Sequence, residues 1–394
     1  MSKLAGLLLM VALMSTCLFV GTSTSASAET TENSWVPKAP MQQARANLGV
    51  ATVNGKIYAI GGIALKYQDN SRRESVDVAT NEEYDPATDT WTFKASMPAP
   101  SSLFVTAVYH DMIYCISGDM NTVYTPANDT WQTKTPLPID KFCWGANEVN
   151  GKIYVLGGLS NETFTEVYDP DTDTWTTKTP IPTETGGYCG VFNDKLYVIG
   201  SSFDQGYYDE FDHYVPGNYT FFTQVYDPAK DTWSVGASPP FPFNTPSIGV
   251  TTGVMAPRRM YVFNNPASAP NASLYVNLVY DPKTDSWASG ADVPTSREGF
   301  ATAVAHDLIY VIGGYVVTYP DVSYWGTGGV MTYLSTVEQY TPFGYGTPDP
   351  SYSATTTSND VSEPFPTVPV AAISVASVTA VSVALLVYFK KRSR

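Results

Sequence analysis

One short pattern recurs six times in this chain of 394 residues and constrains its fold more than any other feature. Each copy is an apolar run that ends in two glycines or in a degraded version of them. The copies are GKIYAIGG (55–62), DMIYCISG (111–118), GKIYVLGG (151–158), DKLYVIGS (194–201), RRMYVFNN (258–265) and DLIYVIGG (307–314). β-Branched and aromatic residues favour strands, and glycine at a strand end lets a neighbouring backbone approach closely. The pattern predicts six buried strands, one in each of six repeat units.

A second pattern follows five of these strands. It consists of Tyr, a turn that contains Pro, an Asp, a Ser or Thr, and Trp. The copies are EEYDPATDTW (82–91), TVYTPANDTW (122–131), VYDPDTDTW (167–175), QVYDPAKDTW (224–233) and LVYDPKTDSW (278–287). Pro presets φ, and Asp, Asn and Thr side chains bond to the backbone of a turn. This pattern predicts two strands joined by a tight hairpin.

The third copy raises the possibility of a metal site, because Asp169, Asp171 and Asp173 alternate as in the first half of a calcium loop. Such a loop also requires a glycine and a glutamate at fixed later positions. Thr174 and Pro180 stand there instead, and the other copies lack the three acids. We therefore interpret the stretch as a turn and predict no metal site.

Each repeat unit of about 40 to 58 residues then reads as four short antiparallel strands, which is typical of a β-propeller blade. The combination of IYVIGG, VYDP and a following Trp resembles the Kelch repeat, and the resemblance covers residues 35 to about 346. It implies an all-β, six-bladed radial propeller within residues 29–346.

The tryptophans predict how the ring closes. Trp91, Trp131, Trp175, Trp233 and Trp287 follow the first five units, whereas the sixth runs through EQYTPFGYGT without one. Trp35 precedes the first unit and has no strands before it. We predict that the N-terminal strand around Trp35 completes the last blade and removes the open sheet edges.

The ends of the chain predict its location. Residues 1–28 have a lone Lys3, an apolar run and a small-residue cleavage site, as in a secretory signal peptide. Residues 368–389 are uncharged and long enough to span a membrane as a helix, and residues 390–394, KKRSR, follow as a cytoplasmic basic tail. We expect a single-pass protein of the cell membrane with its propeller outside the cell.

Residues 347–367 are rich in Ser, Thr and Pro and are expected to form a disordered stalk. The alternative is that a sorting enzyme cuts near EPFPT; this end of the chain resembles the ends of archaeal surface proteins. Ala372, Ala376, Ala380 and Ala384 form one stripe on the predicted helix, which would suit a homodimer or arise by chance.

Composition limits the partners. The net charge of −15 disfavours nucleic acid and anionic lipid. Three cysteines remain after the signal peptide; we expect buried thiols, with a disulfide between Cys143 and Cys189 as the alternative. Candidate glycosylation sites satisfy the N-x-S/T pattern, although one lies in the repeat turn. They are Asn128, Asn161, Asn218 and Asn271.

Catalytic chemistry has little support in the sequence. Kelch-type copper radical oxidases require two His, two Tyr and a Cys at one site. This chain has only three histidines: His110 and His306 occupy predicted hairpins, and His213 stands alone in an insertion, so two of them are not expected at one site. We identify no catalytic residues and no cofactor. A sugar-processing enzyme similar to a sialic-acid mutarotase remains an alternative, and a structural envelope component is another.

Binding is better supported, because the long insertions fall on one face of the predicted propeller. They are residues 63–83, 202–225, 266–279 and 315–339. Variable loops on a rigid scaffold commonly carry recognition, and these are rich in aromatic and polar residues. Their candidate ligand-binding residues are Tyr207, Tyr208, Tyr319, Tyr324 and Trp325. The ligand would be a glycan or an extracellular protein.

Three basic residues suggest a further contact. Arg45, Lys141 and Arg297 each stand 16 positions before the first glycine of their repeat and could ring the mouth of the central channel. Such a ring would favour a carboxylate or sulfate group. The alternative is that they pair with acids of neighbouring blades.

Overall fold

The computed structural model describes residues 31–68, 72–158, 163–183, 188–203, 207–208, 214–215, 219–240, 246–264, 276–318 and 330–350. All regular elements within these ranges are strands. No helix in the described ranges has the length and apolar character required to cross a membrane. The predicted signal peptide, membrane helix and basic tail lie outside the described residues, as does the stalk from residue 351 onward.

The described strands are short, and most have four to six residues. They are β1 (Ser34–Lys38), β2 (Gly49–Val53), β3 (Lys56–Ile60), β4 (Ile63–Gln68), β5 (Arg72–Asp77), β6 (Asn81–Asp85), β7 (Thr90–Lys94), β8 (Val105–Tyr109), β9 (Met112–Ser117), β10 (Met120–Thr125), β11 (Thr130–Thr133), β12 (Cys143–Val149), β13 (Lys152–Gly157), β14 (Phe164–Asp169), β15 (Thr174–Thr177), β16 (Tyr188–Phe192), β17 (Lys195–Phe203), β18 (Tyr207–Tyr208), β19 (Tyr214–Val215), β20 (Tyr219–Asp227), β21 (Thr232–Gly236), β22 (Ser247–Val250), β23 (Met260–Asn264), β24 (Val276–Asp281), β25 (Ser286–Ser289), β26 (Ala301–Ala305), β27 (Leu308–Ile312), β28 (Tyr315–Thr318), β29 (Val330–Tyr333) and β30 (Val337–Thr341).

Six antiparallel sheets of four strands form the blades of a β-propeller, as predicted. Blades 1 to 6 are β2-β3-β6-β7, β8-β9-β10-β11, β12-β13-β14-β15, β16-β17-β20-β21, β22-β23-β24-β25 and β26-β27-β30-β1. The first strands of successive blades contact one another around the ring, and β26 contacts β2. The innermost strands therefore surround a central axis, and the ring is closed.

The last blade takes its fourth strand from the N-terminus. β1 pairs with β30, so that Trp35 lies opposite Tyr340. The rings of these two residues lie 5.0 Å apart, close to the 4.9 Å between Tyr84 and Trp91 in blade 1. The prediction that the N-terminal strand closes the ring is confirmed.

The repeated glycines have the predicted role of permitting close packing. Gly61 adopts a φ of +59°, and a Cβ added to it would lie 2.6 Å from the carbonyl oxygen of Ser101 in the segment leading to the next blade. Gly313 is similar, with a φ of +67° and 2.5 Å to the carbonyl oxygen of Arg45. A side chain at either position would separate neighbouring blades.

The second sequence pattern forms a latch between blades. In blades 1 to 5 its Tyr hydroxyl donates to Oδ1 of its Asp at 2.5–2.6 Å. The same oxygen accepts the backbone N–H of a residue that follows the last strand of the preceding blade. The Trp indole donates to the carbonyl oxygen of that residue. The residues held in this way are Ala39, Ala95, Thr135, Thr179 and Ala237.

Latch geometry explains why Asp recurs at this position of the turn. The five residues adopt φ values between 50° and 55°, a left-handed conformation that Asp tolerates better than most residues. They are Asp89, Asp129, Asp173, Asp231 and Asp285. The hydrogen bond from Tyr124 lowers the pKa of Asp129, against the opposing effect of burial. Burial and the hydrogen bond to Asp129 both raise the pKa of Tyr124. The repeated spacing of Tyr, Asp and Trp therefore joins each blade to the preceding one.

The three acids of the third repeat are used within the propeller. Asp169 pairs with Lys152, Asp171 accepts a hydrogen bond from Tyr109 at 3.0 Å, and Asp173 belongs to the latch of blade 3. The described residues contain no group of three or more potential metal ligands. β14 and β15 pair with Asp169 opposite Thr174, so residues 170–173 form the turn between them and the interpretation of this stretch as a turn is confirmed.

The opposite face from the long insertions carries the short hairpins, and we call it the hairpin face. The sequence predicted that all long insertions lie on the other face, which is wrong for blade 5, where residues 251–259 separate β22 from β23 on the hairpin face. Asp307 organises this longer loop, since its carboxylate accepts the backbone N–H groups of Thr252, Met255 and Ala256 at 2.5–3.0 Å.

Residues 342–350 continue from β30 across the hairpin face and bind to that loop. The N–H groups of Gly346 and Asp349 donate to the carbonyl oxygens of Met255 and Gly253. The buried carboxylate of Asp349 pairs with Lys283 at 2.6 Å. The stalk was predicted to begin at residue 347, but the residues up to Asp349 are held against blade 5 in this way.

The cysteines follow the simpler of the two predictions. In the described part of the chain Cys115, Cys143 and Cys189 are free thiols, so the alternative disulfide is not formed. Burial raises the pKa of both Cys143 and Cys189 to about 12. They pack as small apolar groups and are poor nucleophiles.

Candidate functional site

The face opposite the hairpin face carries the long insertions, and we call it the ribbon face. Three insertions between second and third strands fold into two-stranded ribbons. These are β4–β5 on blade 1, β18–β19 on blade 4 and β28–β29 on blade 6. The fourth predicted insertion is on blade 5, and its residues up to 275 lie outside the described part of the chain.

Arg45 fixes both ends of the ribbon on blade 1. Its guanidinium donates to the carbonyl oxygen of Gly61 at 2.8 Å and to that of Thr80 at 3.0 Å, which are the residues where the insertion leaves and rejoins the blade. It also pairs with the buried carboxylate of Glu82 at 2.9 Å. Burial lowers the pKa of Arg45, and the charge of Glu82 opposes this change. The 16-residue spacing to the first glycine thus reflects a direct hydrogen bond.

Arg297 occupies the equivalent position in blade 6. It pairs with Glu338 at 2.8 Å and donates to the carbonyl oxygen of Val311 at 3.0 Å. Arg45 and Arg297 are only 0% and 1% exposed. Neither therefore contributes to an exposed ring of cations, as the sequence had suggested, because each is buried against a glutamate of its own blade. Lys141, the third member, is half-buried.

The ribbons of blades 6 and 1 are joined to each other. The hydroxyl of Tyr333 in β29 donates to the hydroxyl of Ser75 in β5 at 2.9 Å. Tyr333 also packs edge-on against Tyr315 in β28, whose hydroxyl donates to Glu298 at 2.9 Å. Two neighbouring blades therefore present one connected platform.

A second feature of the ribbon face is the rim of the central channel. Just before the first strands of blades 6, 1 and 2, Gly299, Asn47 and Leu103 all have left-handed backbone conformations, with φ of 61°, 51° and 56°. The N–H of Asn47 donates to the carbonyl oxygen of Gly299 at 2.7 Å, and the N–H of Leu103 donates to that of Asn47 at 3.2 Å. These bonds link the three blades at the rim.

Leu103 differs from its two equivalents. Asn and Gly tolerate the left-handed conformation, whereas a bulky side chain there is strained. The Leu103 side chain is nevertheless 47% exposed. The repeated patterns did not single out this residue, although an alignment of the repeats places a leucine where blades 1 and 6 have Asn47 and Gly299.

Blade 3 contributes aromatic residues near its own first strand. Phe142 and Trp144 have ring centroids 4.9 Å apart, and the Trp144 indole donates to the carbonyl oxygen of Gly158 at 2.7 Å. Trp144 lies outside the repeated Tyr-turn-Trp pattern, so no repeat singled it out. Both rings are partly exposed.

The remaining predicted site residues are placed less fully. Tyr207 and Tyr208 form β18 of the blade 4 ribbon. Tyr319, Tyr324 and Trp325 lie outside the described residues, as do Asn161, Asn218 and Asn271. Asn128 is exposed in the hairpin of blade 2, where its side-chain oxygen accepts a hydrogen bond from Thr130 at 2.6 Å.

Comparison with known proteins relates the chain to repeat proteins of one type. The Kelch motif family matches residues 44–98 and 145–182. The influenza virus NS1A-binding protein homolog of Mus musculus is 42% identical over 82 residues, which cover 21% of this chain and 11% of that protein. Kelch repeat and BTB domain-containing protein 2 of Homo sapiens is 27% identical over 128 residues, which cover 32% of this chain and 19% of that protein.

These matches span less than a fifth of the relatives' own length, so they concern the repeats and not the whole proteins. They coincide with blades whose four strands carry the Tyr-Asp-Trp latch. The repeated pattern, the six blades and the family match together show that this chain contains Kelch repeats.

Proposed function

We propose that this propeller is a protein-binding module displayed outside the cell, and that its ribbon face carries the recognition surface. The observation that carries the proposal is the buried guanidinium of Arg45, which holds both ends of the β4–β5 ribbon. A ribbon fixed in this way loses little conformational entropy when a partner binds, because it is already ordered.

The exposed side chains favour a protein over a glycan as the ligand. Leu103, Val330 and Met331 are exposed large aliphatic residues on the ribbon face, with 42–47% of their surface accessible. Apolar side chains of this kind pack into the cores of protein interfaces, whereas sugars require aromatic faces and many polar groups. Two related proteins are named for binding a viral protein, which is consistent with a protein ligand.

Display outside the cell rests on the sequence of the two termini. Residues 1–28 would direct export, and residues 368–389 would anchor the chain. The described chain ends at residue 350 on the hairpin face, beside the loop that binds Asp349. The ribbon face therefore lies opposite the last described residue before the proposed anchor.

Replacement of residues 316–332 by a short Gly-Ser turn tests the proposal in the full-length chain. We expect the melting temperature to change little, because this ribbon lies outside the four-stranded blade. We also expect a defined set of co-purifying proteins, measured by quantitative mass spectrometry, to be lost. A matched Val235→Asn variant alters an exposed residue on the outer strand β21 and should retain the set.

Two results would contradict the proposal. One is an unchanged set of co-purifying proteins after the ribbon is replaced. The other is ribbon-dependent binding to a glycan array without any ribbon-dependent protein, which would instead support carbohydrate recognition. Localisation is measured separately, by protease accessibility of the propeller in intact cells.

A further inference from the structure

The exposed Leu103 at the channel rim combines two unfavourable properties. Its φ of 56° is costly for a residue with a large side chain, and its apolar side chain is 47% exposed to water. The hydrogen bond from its N–H to the carbonyl oxygen of Asn47 holds it in place. Strained residues of this kind cluster at functional sites, where the surrounding structure maintains them.

The equivalent residues show that the fold itself does not require leucine here. Asn47 and Gly299 occupy the same position in blades 1 and 6 and suit its backbone conformation. Asn or Gly at position 103 would therefore satisfy the rim equally well. The apolar side chain does not favour this backbone conformation, so its presence points to a role in binding.

Acidic side chains surround this rim. Asp77 accepts a hydrogen bond from Ser102, the neighbour of Leu103, at 2.8 Å. Asp119 lies in the blade 2 loop on the same face, Asp140 lies beside Gly118 of that loop, and Glu298 is adjacent to Gly299. Arg45 and Arg297 do not balance these acids at the surface, because both are buried with Glu82 and Glu338. Of the three cations predicted at the rim, only Lys141, next to Asp140, is partly exposed, so the acids named here outnumber it.

We propose that Leu103 is the apolar anchor for a protein partner whose contact surface offers an apolar pocket rimmed by lysine or arginine side chains. This inference rests on the proposed function, because it specifies the partner of the ribbon face. Charge complementarity selects such a partner over an acidic one. A second copy of this chain is a poor candidate, because its net charge is −15.

The test uses the full-length chain and a Leu103→Asn variant. Asn tolerates the left-handed conformation, so this change removes the apolar group and also relieves backbone strain. We expect an equal or higher melting temperature together with weaker binding. A residue that merely supported the fold would lose stability instead. Val235→Asn is the matched control, because Val235 is 75% exposed on the outer strand of blade 4.

The binding probes are three synthetic twelve-residue peptides, composed of leucine with lysine, leucine with glutamate, and serine with lysine. We expect measurable binding of the leucine-lysine peptide only, and a loss of about tenfold in the Leu103→Asn variant, as burial of one leucine would produce. The Val235→Asn control should bind like the parent chain.

Equal binding of the leucine-lysine and serine-lysine peptides would overturn the proposal, since it would indicate attraction by charge alone. So would a preference for the leucine-glutamate peptide or an unchanged affinity in Leu103→Asn. If affinity is unchanged there while ribbon replacement still removes co-purifying proteins, this inference fails and the proposed function stands. If neither change has an effect, both fail.

Discussion

The hydroxyl of Tyr340 donates a hydrogen bond to the side-chain oxygen of Asn33 at 2.8 Å and thereby joins the last blade to the start of the chain. The same oxygen accepts the N–H of Ala291, and Trp35 donates to the carbonyl oxygen of Ala291 at 2.9 Å. Asn33 thus takes the part that Asp has in the other five latches. The sixth latch is formed by residues from opposite ends of the folded chain, with a neutral side chain in place of the carboxylate.

Removal of the Trp35 ring should weaken this closure. We expect Trp35→Ala to lower the free energy of unfolding by on the order of 3 kcal/mol, because it loses the packing against Tyr340 and Phe263 and the hydrogen bond to Ala291. Denaturant unfolding measures this change. The control is Val36→Ala on the same strand, which is exposed and should cost little. Equal effects from both variants would contradict the stabilising role of Trp35 in this closure.

The latch carboxylates should make stability depend on pH. The pKa of Asp129 is lowered in the folded protein, first by the hydrogen bond from Tyr124. A lowered pKa means that this contribution is present above the unfolded pKa of about 4 and is lost as the pH falls through the folded value. Asp129→Asn keeps the oxygen acceptor, as Asn33 does, but cannot titrate.

We therefore expect Asp129→Asn to lose less stability than the parent chain on acidification, while Asp129→Ala loses about 1–3 kcal/mol even at neutral pH. Melting temperatures measured from pH 7 to pH 3 give both quantities. Identical pH profiles for Asp129→Asn and the parent would exclude this carboxylate as a source of acid sensitivity.

The buried pair beneath the blade 1 ribbon should be essential to stability. Arg45→Met leaves the Glu82 carboxylate buried without its cation, which typically costs about 3–5 kcal/mol. It also removes the bonds to both ends of the ribbon, so amide hydrogen exchange in β4 and β5 should accelerate. Lys66→Met, an exposed change on β4, is the control. Unchanged exchange in Arg45→Met would refute the clamp.

Neutralisation of the equivalent glutamate in blade 3 should affect stability differently. Glu82 accepts hydrogen bonds from Arg45 and from the N–H of Gln42, whereas Glu166 accepts one from Thr177, and its Oε2 has no hydrogen-bond partner among the residues described. Pro138, which has no N–H, stands three residues before Lys141, where Gln42 precedes Arg45.

We accordingly expect Glu166→Gln to leave the melting temperature unchanged or to raise it, and Glu82→Gln to lower it. The physical reason is that a buried charge without full compensation is unfavourable, so neutralisation of Glu166 removes this penalty. Glu82 is paired with the buried Arg45, and its neutralisation leaves that cation without compensation. A larger loss from Glu166→Gln than from Glu82→Gln would contradict this difference between the blades.

The repeated patterns predicted the fold because they record local and nearest-neighbour requirements. The glycines of IYxxGG, the latch Asp and the Trp each satisfy one contact with the adjacent blade, so their spacing reveals the architecture. Closure could be predicted for the same reason, since a Trp was missing at one end and present at the other.

The site was predicted less well, because exposure depends on contacts that spacing does not reveal. The spacing of Arg45 and Arg297 was recognised, but both guanidinium groups are buried and donate to backbone carbonyl oxygens of their own blades, so they form no surface ring. Leu103 was overlooked because its importance lies in its backbone conformation. Asp307 and the loop it organises depart from the repeat, so no pattern predicted them.

Site-specific photo-crosslinking tests the central claim, which is that recognition occurs on the ribbon face. A photoreactive amino acid is placed at Lys66, exposed on the blade 1 ribbon, or at Lys230, which is 72% exposed on the hairpin face. In the full-length chain in its own cells, we predict discrete covalent protein adducts from position 66 and none from position 230. Adducts that form only from position 230, or equally from both, would contradict the account.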